Sequence, residues 1–137
     1  MKVAVLDTGV DADHQDIDLY TEDENDKTYP GGWAEFDSYG NQVEDSKPHD
    51  TGTHGTQVSG TVAGGNADGA YIGVAPETNL MHGLVLSGSD GGTFSQIVGG
   101  MEWAIENDAD ARGADGRSTR RRTAPRPAAP GRARLVS

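Results

Sequence analysis

The sequence contains no cysteine, so disulfide bonds and thiolate metal ligands are excluded. It also contains no apolar run close to the ~18 residues of a membrane-spanning helix, and we expect no membrane partner. The apolar stretch after Met1-Lys2 is too short for a secretory signal, so we expect none, and the localisation stays undetermined. A chain of 137 residues has room for one domain.

Arginine is absent from residues 1–111, which hold three lysines and 21 acidic residues and carry a formal charge of −18. Dense surface carboxylate keeps a protein soluble, but it makes the compact state repel itself. Salt screens this repulsion, because the Debye length falls to about 3 Å at 1 M. Two interpretations are open, an ordinary solvated acidic surface and adaptation to a salty environment. The depletion of basic residues favours the second.

All eight arginines lie in residues 112–137, which are otherwise rich in Ala, Pro, Gly, Ser and Thr. This segment has no hydrophobic period, so we predict a disordered basic tail after a domain that spans residues 1–111. One interpretation is an arm that binds nucleic acid through its phosphates, although the segment has no aromatic residue to stack on a base. The other is translation outside the original reading frame, because these residue types have GC-rich codons. We favour the second and do not expect a nucleic-acid partner.

Strand and helix patterns alternate in residues 1–111. Short β-branched or apolar runs predict strands at Lys2–Leu6, Gly31–Asp37, Tyr71–Pro76 and Asn79–Leu86. A helix is predicted over His54–Ala63, with Thr51 or Thr53 as its cap and Gly64-Gly65 at its end. A second helix is predicted over Thr93–Asn107. Its apolar positions fall at helical spacing and are Phe94, Ile97, Val98, Met101 and Ile105. The order of these elements predicts an α/β fold with a parallel sheet and flanking helices.

Two segments contain side chains suited to proton transfer. The first, VAVLDTGVDADHQDI, places Asp7 at the end of a buried strand, and the second, HGTQVSGTVAG, places His54 at the start of a helix. A carboxylate at a strand end can hold the Nδ1–H of a histidine, fix its tautomer and stabilise the imidazolium. Each signal alone is weak, because an Asp after a strand is more often a cap and a His in a loop is more often only exposed.

Together, the two segments resemble the Asp and His motifs of the subtilisin-like serine proteases, or subtilases. The stretches IGVAP and GMEWAIEND resemble the continuation of that family, so the resemblance covers residues 2 to about 110. The acidic composition suggests a haloarchaeal type. The resemblance implies the N-terminal part of a subtilisin-like parallel sheet, a polypeptide substrate, Asp7 as orienting carboxylate and His54 as general base. It also implies a substrate-binding loop with the residues Gly88, Gly91, Gly92 and Phe94.

Several further positions have a meaning within this resemblance. Gly52 and Gly55 would clear space around the His54 ring. His14 and Asp16 match a structural His-x-Asp pair. In some subtilases the carboxylate at the Asp16 position helps to bind calcium, but the loop that would complete the site is short here. We therefore claim neither a metal site nor a cofactor. The histidines that match no catalytic position are interpreted as loop or strand residues, and they are His49 and His82.

The sequence also departs from the family pattern. The nucleophilic serine of subtilases lies in a Gly-Thr-Ser segment in the far part of a longer domain, and this sequence contains neither that segment nor the oxyanion Asn. Ser59 lies one turn along the helix of His54, where its side chain does not readily face the tip of that ring. We therefore expect a truncated, inactive portion of a serine endopeptidase. The alternative hypothesis is a non-enzymatic acidic domain whose arginine-rich tail binds nucleic acid.

Overall fold

The computed structural model describes residues 1–109 and the short strand formed by residues 134–136. Six elements follow one another along the chain: β1 (Lys2–Asp7), β2 (Trp33–Glu35), α1 (His54–Ala63), β3 (Asn79–Leu84), α2 (Phe94–Glu106) and β4 (Arg134–Val136). The strands form one sheet in the order β2-β3-β1-β4, and every neighbouring pair is parallel. The predicted α/β fold with a parallel sheet is confirmed.

The sheet separates two hydrophobic clusters, because side chains of a strand alternate between its faces. On one face Leu6 and Met81 pack with Trp103 of α2. On the other face Val5 packs with a second cluster, against which Val58 of α1 lies. The two helices therefore cover opposite faces of the sheet. β1 lies between β3 and β4, and at its end Asp7 is aligned with Leu84 of β3.

Both helices end close to where the sequence predicts, and their caps differ. At the start of α2, Thr93 Oγ1 accepts the N–H of Gln96 while the Gln96 side chain accepts the N–H of Thr93, which forms a capping box. The last turn of α1 is closed by Gly64, whose N–H bonds to the carbonyl of Gly60. Thr53 occupies the N-cap position of α1 but makes no side-chain capping bond.

The buried face of α2 differs from the predicted one. Gly100 is buried and allows α2 to approach the sheet, because a Cβ at this position would press against side-chain atoms of Val85 and Leu6. Trp103 and Ala104 are buried with Gly100, and Ile97 and Met101 pack partly buried beside them. Phe94 is 84% exposed and Ile105 is also exposed, although both were predicted on the apolar face.

The predicted strand Tyr71–Pro76 is a loop. Its backbone donors bond to the carbonyls at the end of α1 instead of to a neighbouring strand: Val74 N–H bonds to Thr61 and Ala75 N–H bonds to Val62. The last carbonyls of a helix have no partner within the helix, and this segment supplies partners for them. The β-branched side chains that suggested a strand are left outside, and Val74 is 87% exposed.

A three-residue ladder covers part of the outer edge of β1. The backbone of β4 pairs with Val3–Val5 in parallel register. β4 is the part of the segment 112–137 that the structure describes, and the predicted disorder of the other residues of that segment lies outside the described residues. Within residues 1–109, neither helix combines the length and the apolar character needed to cross a bilayer.

Candidate active site

The carboxylate of Asp7 lies at the C-terminal end of β1, the edge of a parallel sheet at which open α/β folds place their sites. Its side chain is buried, with 1% of the residue surface exposed. A buried carboxylate is costly unless hydrogen bonds compensate for the lost hydration. The N–H of Thr8 donates to Asp7 Oδ1 at 2.7 Å, which supplies one such bond.

His54 is the first residue of α1 and supplies the second partner of Asp7. Its Nδ1 lies 2.9 Å from each of the two Asp7 carboxylate oxygens. The ring is otherwise open, with 67% of the side chain exposed, while that of Asp7 is 2% exposed. Because a carboxylate only accepts, Nδ1 carries the proton, and in the neutral ring Nε2 has the free lone pair.

The electrostatic surroundings of His54 favour its protonated form. The hydrogen bond and the negative charge of Asp7 raise the pKa of His54 above its ordinary value of 6.5, and the charge of Asp50 adds to this effect. An imidazole in this position is a stronger base than a free one and is stabilised once it has taken up a proton. The pair has the geometry of an orienting carboxylate and a general base.

A third residue, Asp50, joins the segments that carry the pair. Its Oδ1 accepts the hydroxyl of Thr8 at 2.7 Å and the N–H of Gly52 at 3.0 Å. Its Oδ2 accepts both the N–H and the hydroxyl of Thr56, at 2.9 and 2.6 Å. Burial alone would raise the pKa of Asp50, but these hydrogen bonds outweigh it and hold the pKa below the ordinary value.

The carboxylate of Asp50 therefore does the capping that the sequence analysis assigned to Thr51 or Thr53. Thr51 instead donates its hydroxyl to the carbonyls of Thr8 and Leu86. Asp50 is not among the site residues predicted from the sequence. The sequence does contain a signal for this capping role, because Asp50 is an acidic residue just before the first turn of α1. A carboxylate is favoured there by the free N–H groups and the helix dipole.

The glycines around His54 make room for neighbouring backbone. A Cβ at Gly55 would overlap the carbonyl oxygen of Gly9, so α1 lies directly on the turn that follows Asp7. A Cβ at Gly52 would press against Gly88 Cα at 3.3 Å. Gly55 thus fixes the distance between the segment of Asp7 and that of His54, and Gly52 fixes the distance to the loop of Gly88.

His14 and Asp16 form a structural pair, as the sequence analysis interprets them. The N–H of Asp16 donates to His14 Nδ1 at 3.1 Å, and Asp16 Oδ1 accepts the N–H of Ala67 at 2.9 Å. The pair therefore anchors the loop after α1. Across the residues that the structure describes, no cluster of three or more His, Cys, Asp or Glu side chains forms a candidate metal site.

The predicted substrate-binding residues lie in and after the loop that follows β3. Gly88 contacts the backbone of Thr51, close to where the chain enters α1, and leaves no space there for a Cβ. Gly91 has a φ of +72° and pairs with Ser87 in a short bridge. Gly92 lies against the carbonyl of Val85, and Phe94 extends outward at the start of α2. The loop lies beside the His54 segment, and its contact with substrate stays a prediction.

The other histidines lie where the sequence analysis placed them. His49 is in the loop before α1, and its Nδ1–H donates to the carbonyl of Lys47 at 2.8 Å. His82 lies within β3 and is fully buried beside Ser59. Neither ring takes part in the Asp7–His54 pair.

Comparison with known proteins agrees with this geometry. The subtilase family matches residues 1–113, and the chain belongs to that family. Subtilisin E of Bacillus subtilis strain 168 is 36% identical over 110 residues, which cover 80% of this chain and 25% of that protein. The subtilisin of Bacillus pumilus is 36% identical over 110 residues, with 80% and 34% coverage. The major intracellular serine protease of Bacillus subtilis strain 168 is 37% identical over 111 residues, with 80% and 32% coverage.

The chain thus spans about a quarter to a third of the length of these relatives. Membership of the family makes it a relative of serine proteases. The nucleic-acid alternative depends on the arginine-rich segment 112–137, which lies almost entirely outside the described residues. The comparisons give that alternative no support.

Proposed function

We propose that this chain supplies the orienting carboxylate and the general base of a serine endopeptidase that hydrolyses polypeptides. The observation that carries the proposal is the contact of His54 Nδ1 with both carboxylate oxygens of Asp7, each at 2.9 Å. A serine hydroxyl placed at Nε2 would lose its proton to the ring while its oxygen attacks the scissile carbonyl carbon. The imidazolium, stabilised by Asp7, would then protonate the leaving amine.

The nucleophile is missing from the described residues. Ser59 is buried, and its hydroxyl contacts His82 and not His54. Within residues 1–109, the hydrogen bonds of His54 side-chain atoms go to Asp7, and none goes to a serine. Ser118 and Ser137 follow Arg and Val in the sequence and do not stand in a Gly-Thr-Ser context.

We therefore propose that residues 1–137 alone do not hydrolyse peptide bonds. Activity requires a further polypeptide segment that brings both a serine and a donor for the oxyanion. The loop of Gly88, Gly91, Gly92 and Phe94 is proposed to hold the substrate backbone, since Gly88 packs against the segment that leads to His54. The formal charge of −18 on residues 1–111 supports a halophilic, haloarchaeal type of subtilase.

The first experiment tests the Asp7–His54 pair directly in the full chain. In molar KCl, NMR titration of the four imidazole rings should give His54 a pKa above 6.5, because Asp7 favours the imidazolium. Asp7→Asn should remove most of that rise. Asp13→Asn is the matched control, because Asp13 is an exposed carboxylate in the same segment, and it should leave the pKa of His54 unchanged. Equal pKa values in the wild type and in Asp7→Asn would refute the pair.

The second experiment tests the enzyme class. The chain alone should not cleave casein, whereas a fusion to the part of the Bacillus pumilus subtilisin that follows the matched segment should. In that fusion His54→Ala should lower kcat by at least ~10⁴-fold, because the base acts as one unit with the carboxylate and the nucleophile. A loss under tenfold would contradict the role of His54. Cleavage by the chain alone that survives His54→Ala would contradict the proposed mechanism.

A further inference from the structure

A second histidine, His82, lies inside the molecule between the two segments that carry Asp7 and His54. It is in the middle of β3, aligned with Val5 of β1 and with Trp33 of β2. Its ring stacks on Trp33 at a centroid distance of 6.1 Å, and none of its surface is exposed. A buried imidazole destabilises a fold unless its two nitrogens have hydrogen-bond partners.

Both nitrogens of His82 have such partners. The N–H of Gly9 donates to His82 Nε2 at 3.2 Å, so Nε2 must carry a lone pair. The proton of the neutral ring is then on Nδ1, which donates to Ser59 Oγ at 2.9 Å. A protonated ring could not accept the bond from Gly9. Burial lowers the pKa of His82 to about 4, against the opposing effect of the charges of Asp7 and Asp50, so the ring is neutral at pH 7.

The two partners connect the ring to both halves of the candidate catalytic pair. Gly9 is in the turn two residues after Asp7, with a φ of +113° that favours glycine, and its carbonyl lies against Gly55 in the first turn of α1. Ser59 is on the buried side of α1, five residues after His54. One imidazole therefore holds the turn that follows Asp7 and the helix that begins with His54.

We propose that His82 is a positioning residue, a buried neutral imidazole that holds Asp7 and His54 in register through Gly9 and Ser59. It does not touch the reacting atoms. Its two bonds fix the orientation of the Asp7 turn relative to α1. This inference rests on the proposed function, because it assigns His82 a role in the same site.

A purely structural role for His82 makes a different prediction. If the ring only fills the core, its loss lowers the free energy of unfolding but leaves Asp7 and His54 in contact in the molecules that stay folded. If the ring positions the pair, its loss also weakens the contact of His54 Nδ1 with Asp7. The pKa of His54 in the folded protein distinguishes the two, because Asp7 is the main cause of its rise.

The test uses four variants of the full 137-residue chain in molar KCl. His82→Phe keeps an aromatic ring beside Trp33 but removes both hydrogen bonds. His82→Gln supplies an amide oxygen for Gly9 and an amide donor for Ser59. Ser59→Ala removes one bond with little change of volume. Leu80→Ala is the matched control, because Leu80 is a buried neighbour on the same face of β3 without a polar contact.

NMR titration gives the pKa of His54 in each folded variant, and urea unfolding gives its stability. We expect His82→Phe to lose most of the rise of the His54 pKa above 6.5, Ser59→Ala to lose a smaller part, and His82→Gln to keep most of it. Leu80→Ala should lose stability and keep the His54 pKa. If His82→Phe does not fold, the pKa of His54 in the Ser59→Ala variant tests the proposal alone. An unchanged His54 pKa in the folded His82→Phe or Ser59→Ala variant overturns the proposal.

Failure of this proposal is distinguishable from failure of the proposed function. If Asp7→Asn lowers the pKa of His54 and the His82 and Ser59 variants do not, the catalytic pair stands and His82 has only a packing role. If the pKa of His54 is already ordinary in the wild type and does not respond to Asp7→Asn, the pair itself is refuted, and the positioning role of His82 is refuted with it.

Discussion

The hydroxyl of Thr8 donates to Asp50 Oδ1 across 2.7 Å, and its oxygen also accepts the N–H of Gly55 at 2.9 Å. Thr8 directly follows Asp7, Asp50 lies in the loop before α1, and Gly55 directly follows His54. The Thr8 side chain thus connects the segment of Asp7 with the loop before α1 and with the first turn of α1. The pair is held by a network of small polar groups, and its own contact is only one part of that network.

Removing the Thr8 hydroxyl should weaken this connection without changing the shape of the site. We expect Thr8→Val to lower the free energy of unfolding by about 1–3 kcal/mol, because the buried N–H of Gly55 and a carboxylate oxygen each lose a partner. Thr61→Val is the matched control, since Thr61 is exposed on α1 and its hydroxyl bonds to the carbonyl of Gln57. The control should change stability by less than about 0.5 kcal/mol. If Thr8→Val and Thr61→Val lower the free energy of unfolding by urea equally, the Thr8 hydroxyl does not connect the two segments.

Gly55 and Gly60 lie on the same helix, and their replacement by alanine should change the stability of the protein in opposite directions. A Cβ at Gly55 would overlap the backbone of Gly9, so Gly55→Ala must push α1 away from the Asp7 turn. We expect a loss of about 1–3 kcal/mol, as for overpacking. At Gly60 the nearest atom to a new Cβ is Ile72 Cδ1 at 4.0 Å, so Gly60→Ala should be neutral or stabilise by up to about 1 kcal/mol through helix propensity.

Thermal unfolding followed by circular dichroism measures both alanine variants. The pair of substitutions separates steric conflict from propensity, because both replace glycine inside one helix. A stabilising Gly55→Ala would mean that α1 does not lie against the turn after Asp7.

Much of the fold follows from local pattern. The bounds of α1 are predicted because Val58 and Val62 share one face and Gly64 stops the helix. The loop Tyr71–Pro76 is not predictable in this way, because its β-branched residues have strand propensity. Its donors instead bond to the last carbonyls of α1, which is a tertiary effect.

The candidate site can be predicted only in part, because motifs identify single residues but do not show their tertiary contacts. Asp7 and His54 are recognisable because each lies in a distinctive motif. The role of His82 is not, because a single histidine in an apolar strand does not show which residues face it. Its partners Gly9 and Ser59 lie 73 and 23 positions away in the sequence. Such contacts become visible only when the sheet and α1 are packed together.

The depressed pKa of His82 predicts acid sensitivity between pH 6.5 and about 4. In this window the unfolded chain binds a proton at His82 that the folded chain does not, so stability is complete above pH 6.5 and falls as the pH drops. A difference of this size corresponds to roughly 3 kcal/mol. The raised pKa of His54 acts in another window: its stabilising contribution is complete below pH 6.5 and is lost as the pH rises through its folded pKa.

Urea unfolding of the wild type and of His82→Gln from pH 7 to pH 4.5 tests this prediction. Carboxylates that titrate in the same range affect both proteins, so the comparison isolates the histidine. The variant lacks the imidazole and should lose less stability on acidification. Parallel pH profiles would show that His82 is not held neutral in the folded chain.

Mutual repulsion of the carboxylates should make folding depend on salt. Residues 1–111 carry a formal charge of −18, and at low ionic strength this repulsion opposes the compact state. We expect weak near-UV circular dichroism from Trp33 and Trp103 in dilute buffer, and sharper bands with a cooperative melt above ~1 M KCl, where screening is strong. A cooperative melt in dilute buffer that KCl does not shift would contradict this expectation.

A variant with fewer charges separates screening from other effects of salt. Glu22, Asp23 and Glu24 are exposed in one loop, and their replacement by Gln, Asn and Gln removes three negative charges without touching the Asp7–His54 pair. The melting temperature of this variant should rise less with KCl than that of the wild type, because less repulsion is left to screen. Sucrose is the control, since it stabilises by exclusion from the protein surface and does not act on charge, so it should raise both melting temperatures equally. If KCl shifts the two proteins by the same amount, the salt effect does not come from the repulsion of these carboxylates.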